Sequence, residues 1–230
     1  MITIALPKGR LGDKVYELLN RAGYGFEAME DVGRKLVIEE EEKQIRYLLV
    51  KPVDVAVYVE KGAADLGVVG KDILEESGAD IFELLDMGFG KCHMCVAAPE
   101  GFIENPSRRL RVATKFENIA RDYYSRRGRD AEFIHLNGSI ELAPVLGLTD
   151  VIVDIVETGT TLKENHLTVI DRFMYISARL VANRSSYRFK EEKIREIVSQ
   201  LKEIISEEQE SSSESGKEPI RVRNQKTVRR

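Results

Sequence analysis

Short, almost wholly apolar runs alternate along this chain with segments whose apolar residues fall at helical spacing, and no segment repeats. Buried parallel strands read as continuous apolar runs, and amphipathic helices show apolar residues every three or four positions. Residues 2–6 form the first such run, broken by Pro7-Lys8-Gly9-Arg10; Leu11, Val15, Leu18, Leu19 and Ala22 then follow helical spacing until Gly23. Further strands are predicted at 36–38, 45–50, 65–69, 91–98, 110–113, 132–136, 150–156 and 173–182. A helix is predicted after Pro52 and another from Lys71. Phe116, Ile119, Ala120, Tyr123 and Tyr124 line a third, Ser139 can cap a fourth, and Ile194, Ile197, Val198, Leu201, Ile204 and Ile205 form the inward face of the last. This alternation predicts an α/β protein with two lobes and a cleft between them.

Composition excludes several function classes. No apolar run approaches the roughly 18 residues a membrane span requires. The first ten residues lack a basic stretch ahead of an apolar core, which predicts a cytoplasmic protein. The net charge is −4, and residues 206–230 hold six basic and five acidic side chains, so 1–205 carries −5. An acidic body is a poor general nucleic-acid binder, so positive charge for a polyanion must be local. Residues 206–230 contain only three aliphatic side chains and read as a disordered tail. Cys92 and Cys95 form a C-x-x-C without a second pair to close a zinc site. Three residues apart on a strand, they point to opposite faces and read as ordinary strand residues.

Two segments carry chemistry. In the first, a buried strand delivers Asp154 and Glu157 beside Thr158-Gly159-Thr160-Thr161. Hydroxyls and backbone N–H groups in such a loop can cradle a phosphate. Carboxylates repel phosphate and suit ribose hydroxyls or magnesium instead. Phosphate, sugar and metal together describe a phosphoribosyl donor, while a Thr-rich turn closing a strand is the plain alternative. The Gly-Lys-Ser/Thr ending of a Walker loop is missing. In the second, Lys8 and Arg10 flank Gly9 just before a helix N-terminus, where dipole, free N–H groups and side chains favour an anion; a solvated helix start is the alternative.

Together these segments belong to a longer pattern. Leu6-Pro7-Lys8-Gly9-Arg10-Leu11, the run 62–72 from Gly62 through Asp65 to Asp72, Val112-Ala113-Thr114-Lys115-Phe116, the run 138–144 containing Glu141, and 154–165 stand in order along the chain. On these stretches the sequence resembles the ATP phosphoribosyltransferase family over nearly all of 1–205, in its short form. The resemblance implies a fold like the type II periplasmic solute-binding proteins, with the active site between the lobes. It divides the chain into lobe I (1–88 and 180–205), lobe II (89–179, with the phosphoribosyl pyrophosphate loop) and the tail (206–230).

The resemblance further implies that Asp154 and Glu157 are the ribose-side acids and that Thr158, Gly159, Thr160 and Thr161 hold the 5′-phosphate. Lys8, Gly9 and Arg10 face the pyrophosphate and ATP phosphates, Lys8 and Arg10 as the catalytic cations. Lys51, Asp72 and Glu141 lie near the cleft; Lys51 and Thr160 stand where family members often carry arginine. Implied partners are ATP and phosphoribosyl pyrophosphate, with Mg²⁺ held mainly by substrate phosphates rather than by a protein metal site. A separate regulatory subunit resembling histidyl-tRNA synthetase joins them, with a homodimer as the state of the chain alone. The implied reaction opens histidine biosynthesis and needs no strong general base, so His93, His135 and His166 are assigned no catalytic role. A non-catalytic solute-binding protein of the same fold, a phosphoribosyltransferase acting on a free base and an interaction module acting through its tail are the rival readings.

Overall fold

The structure is a computed structural model, and it describes residues 1–29 and 32–215. The chain starts with β1 (Ile2–Pro7), α1 (Arg10–Leu19), β2 (Val37–Glu40), β3 (Ile45–Val50), α2 (Val55–Glu60), β4 (Leu66–Gly70), α3 (Lys71–Ser77) and β5 (Phe82–Asp86). It then builds β6 (Cys92–Pro99), β7 (Leu110–Thr114), α4 (Glu117–Arg126), β8 (Ala131–His135), α5 (Leu142–Val145), β9 (Val151–Val156), α6 (Thr160–Glu164) and β10 (Leu167–Ile176). It closes with β11 (Ala178–Ala182), α7 (Arg184–Phe189) and α8 (Glu191–Ser215).

These elements make two sheets, ordered β2-β3-β1-β4-β11-β5 and β10-β6-β9-β7-β8. Each sheet has three neighbouring parallel strands: β3, β1 and β4 in lobe I, and β8, β7 and β9 in lobe II. Against each trio lies an antiparallel strand that has just crossed from the other lobe, β11 beside β4 and β6 beside β9. The predicted α/β, two-lobed class is therefore present.

Apolar spacing in the sequence accounts for the packing. Val15, Leu18 and Leu19 of α1 and Ile194, Ile197, Leu201 and Ile205 of α8 fill one core with Ile2, Ile4 and Leu6 of β1. Gly12 sits where a Cβ would collide with the Pro7 carbonyl oxygen, so α1 lies directly against the end of β1. Tyr123, Tyr124, Ile119 and Phe116 of the α4 segment cover the second sheet with Val112 and Val153. Both cysteines are free; Cys95 packs on one face of the lobe II sheet and Cys92 on the other, as strand alternation requires.

Four sequence expectations need correction. The apolar run 173–182 is two strands in two lobes: β10 ends at Ile176, and β11 begins two residues later. The lobe boundary accordingly falls at Ser177 rather than 180. β5, a short half-buried strand between charged residues, lacks a continuous apolar run and escaped prediction. Ser139 does not cap α5; it adopts a left-handed φ of 49° and its carbonyl accepts the Leu142 N–H. Finally, the tail does not begin at 206, because α8 continues to Ser215. Glu207 and Glu208 hold those extra turns through ion pairs with Arg21, and Glu208 also pairs with Lys14. The predicted disorder and basic end of the tail, 216–230, lie outside the described residues.

Two covalent crossings join the lobes, and they lie side by side. Ser177 Oγ donates to Asp86 at 2.8 Å, Met87 N–H to the Ala178 carbonyl at 2.9 Å, and Ala178 N–H to the Phe89 carbonyl at 3.0 Å. The Lys71 N–H, at the start of α3, donates to the Ser177 carbonyl at 3.0 Å.

Candidate active site

Parallel strands present their carboxyl ends on one edge of a sheet, and ligands of open α/β sheets bind there. Here the carboxyl ends of β3, β4, β7 and β8 meet around one cavity of about 350 Å³. It is lined by Val53, Asp72 and Ile73 from lobe I, and by Lys115, Phe116, His135 and Asn137 from lobe II.

Asp154 sits on β9, paired with Cys95 on one side, while the next residue pair after Thr114 and Val153 sets it beside Lys115 on the other. Its Oδ1 is buried with no hydrogen-bond partner. Burial raises the Asp154 carboxyl above the ordinary range; the Ile155 N–H and Lys115 oppose this, and Glu141 and Asp72 add to it. Asp72 is raised in the same way, first by burial, with its own and the Ile73 backbone N–H and then Lys115 opposing. Its carboxylate folds back over Gly70, occupying the place of the missing Cβ. Cys92, beside Asp72 and Glu157, has a thiol pushed up to about 11, chiefly by burial, which leaves it protonated and a poor nucleophile. The structure thus gathers Asp72, Glu141, Asp154 and Glu157 in one electrostatic neighbourhood, with Lys115 the cation coupled to both buried aspartates. The sequence pattern contains Lys115 without giving it a role; its place directly after a buried strand is the signal that marks it.

The loop after β9 turns sharply. Gly159 has φ +79°, a conformation that favours glycine, and caps the short α6. Thr158 Oγ1 lies 3.1 Å from Thr160 Oγ1, and Thr160 and Thr161 are exposed. Glu157 is also exposed beside them.

Lys8, Gly9 and Arg10 leave β1 exposed, with Gly9 at φ +95° before α1. The Lys8 N–H donates to the Val50 carbonyl at 2.8 Å, so Lys8 and Lys51 stand on adjacent strand ends. Lys8 and Gly9 line a second cavity of about 440 Å³ with Tyr16, Arg34 and Lys35. Arg34 and Lys35, a basic pair following Gly33, bring further positive charge to the cavity beside Lys8. Among the described residues, no group of three or more His, Cys, Asp and Glu can hold a metal.

The fold is that of a two-lobed α/β protein, with a cavity between the lobes lined by Asp72 of one lobe and Lys115 of the other. A sequence profile described as "HisG: ATP phosphoribosyltransferase" matches residues 51–203. A protein named ATP phosphoribosyltransferase from Brachyspira hyodysenteriae is 56% identical over 206 residues, 89% of this chain and 100% of that one. One of the same name from Caldanaerobacter subterraneus is 48% identical, covering 90% and 98%. A Thermotoga maritima chain, solved in the ATP phosphoribosyl transferase (HisG:HisZ) complex, superimposes with a TM-score of 0.79 at 38% identity, covering 90% of this chain and all of that one. The Escherichia coli periplasmic aliphatic sulphonate binding protein SsuA shares the fold, with a TM-score of 0.56 at 14% identity, covering 93% and 71%. The chain belongs to the ATP phosphoribosyltransferase family, in its short form, with the two-lobed type II fold. Its activity is a phosphoribosyl transfer, condensing ATP with 5-phosphoribosyl 1-pyrophosphate to N1-(5-phosphoribosyl)-ATP and pyrophosphate at the head of histidine biosynthesis.

Proposed function

We propose that the interlobe cleft carries this reaction with a division of labour between lobes. The unpartnered Oδ1 of Asp154 carries the proposal. A buried polar atom without a partner is costly, and a ribose hydroxyl of the donor satisfies it by donating a hydrogen bond. Glu157 serves the neighbouring hydroxyl. Thr158, Gly159, Thr160 and Thr161 take the 5′-phosphate through hydroxyls and backbone N–H groups.

Adenine N1 has a free lone pair, so the attack needs no general base. The N1–C1′ bond forms as the bond from C1′ to pyrophosphate breaks, and the electron pair leaves with pyrophosphate. Lys8 and Arg10 stabilise that growing charge. Lys51 and Lys115 add positive charge at neighbouring strand ends, Gly9 lets the backbone approach the phosphates, and Asp72 and Glu141 border the cleft. Holding two polyanions in line supplies up to about 7–11 kcal/mol of the barrier reduction. A magnesium ion would be held mainly by the substrate phosphates, where it would neutralise phosphate charge, with Asp154 and Glu157 as the carboxylates beside it. The protein works in the cytoplasm with a regulatory subunit resembling histidyl-tRNA synthetase, as a hetero-oligomer like that of the Thermotoga relative, and as a homodimer alone. Among the described residues no helix is long and apolar enough to cross a membrane, and the acidic body disfavours nucleic acid.

The test is incubation of the purified chain with ATP, phosphoribosyl pyrophosphate and Mg²⁺, with and without the partner, following ultraviolet absorbance of the adduct. Product that requires both substrates is expected. Binding of another small molecule without product would favour the solute-binding alternative.

A further inference from the structure

Helix α4 begins in lobe II without a cap of its own. Its N-cap residue, Phe116, provides no side-chain hydrogen bond to the first turn. The leading N–H groups of a helix have no partner within it, and the dipole there favours an anion. The missing cap comes from the other lobe. The Glu76 carboxylate accepts the Asn118 N–H at 3.1 Å through one oxygen and the Ile119 N–H at 3.1 Å through the other. The Glu76 carbonyl accepts from Asn118 Nδ2 at 2.9 Å.

This cap sits at the centre of the cleft's geometry. Glu76 lies four residues after Asp72 on α3, one turn along the same helix. Asn118 lies three residues after Lys115. Asp72 and Lys115 are coupled across the cleft, and both line its cavity with Glu76 itself. The two covalent crossings lie side by side and form a single hinge. Helix α3 is bonded to the Ser177 crossing at its first residue, Lys71, and through Glu76 it adds a non-covalent tie from lobe I to the start of α4.

We propose that Glu76 is a positioning residue that caps α4 from the opposite lobe and thereby sets the approach of Asp72 to Lys115 across the cleft. The residue touches no reacting atom. It acts through helix α3 on one side and the turn at Lys115–Phe116 on the other. Carboxylate–amide bonds are charge-assisted, so glutamine, with one acceptor oxygen and no charge, keeps part of the contact and alanine keeps none.

The inference rests on the phosphoribosyl-transfer reading of the cleft, and the experiment separates the two. Amide hydrogen exchange of residues 117–121 is measured for the wild type, Glu76→Gln and Glu76→Ala, alongside kcat and KM for both substrates. In Glu76→Ala the Asn118 and Ile119 amides should lose protection at least tenfold, while the core of lobe II exchanges as before. Its kcat should fall about tenfold or more, with Glu76→Gln intermediate in both readouts. A merely structural cap would change exchange and thermal stability and leave kcat and KM within twofold; that result overturns the proposal, as does unchanged exchange in Glu76→Ala. A wild type that makes no product would instead sink the functional reading, while the exchange data would still report on the cap.

Discussion

Each lobe buries an aspartate within or beside its parallel strands, and the two are treated in opposite ways. In lobe I, Asp65 precedes β4, and its carboxylate accepts from the Thr3 N–H at 2.8 Å, Ser186 Oγ at 2.6 Å and Lys190 Nζ at 2.8 Å. Burial alone would raise its pKa, but Lys190, Ser186 and the Thr3 amide together hold it below the usual range. In lobe II, Asp154 keeps an oxygen with no partner, and burial raises its pKa. Asp65 stitches β1 to the C-terminal helices and stabilises the fold. Asp154 lacks such a partner set, and in the proposed function a ribose hydroxyl of the donor completes it. The residue type is the same, and Asp65 is the more deeply buried of the two; the partner set is what separates them.

The largest effect that sharpens this contrast lies outside both aspartates. Arg10→Ala should lower kcat by about 10²–10³-fold, the cost of losing one preorganised charge at the leaving group, with far-ultraviolet dichroism unchanged. Turnover near wild type at saturating substrates would remove Arg10 from the mechanism.

Asp154→Asn should lower kcat/KM for phosphoribosyl pyrophosphate by about 10–100-fold, the equivalent of a charge-assisted hydrogen bond. The same variant should raise Tm at neutral pH. A carboxyl with a raised folded pKa binds its proton more tightly in the folded state, so its favourable contribution exists in acid and is lost as pH rises through that pKa. Asparagine removes the penalty. A lower Tm would break the comparison.

Asp65→Asn should do the reverse. It should cost about 2–3 kcal/mol in urea unfolding at pH 7, with kcat of the folded fraction unchanged. The depressed pKa places this stabilisation above the unfolded carboxylate pKa, and it is lost as pH falls through the still lower folded value. Stability of the wild type should therefore drop more steeply in acid than that of Asp65→Asn. Parallel profiles would refute the assignment.

The smallest effect concerns α8. Ending the chain at 205 removes the pairs of Glu207 and Glu208 with Arg21 and of Glu208 with Lys14. These are partly exposed and together contribute about 1 kcal/mol or less. Tm should fall slightly and kcat should not change; a loss of turnover would give the tail a role in the interaction.

Most of this was legible in the sequence where a single segment carries the whole signal. Residues 2–10 and 150–162 announce strand, break and loop in one run, and the structure places them so. What stayed hidden depends on neighbours distant in the chain. The run 173–182 is uniformly apolar, so no local pattern marks Ser177, where the chain changes lobes. Glu76 reads as one more charged residue on a short helix, since its amide partners lie 42 and 43 residues away. Asp65 and Asp154 cannot be told apart by type, because Lys190 is 125 residues from Asp65.

The position of β11 also governs the order in which the protein takes shape. It fills the gap between β4 and β5, which have no pairing with each other. As the polypeptide leaves the ribosome, lobe I emerges first yet waits with an open slot in its sheet. Lobe II, continuous from β6 to β10, emerges complete and can fold as a unit before it. The first 86 residues to be synthesised therefore wait for the last part of the fold, and until residue 182 is out the unpaired edges of β4 and β5 are the nascent protein's point of exposure to aggregation.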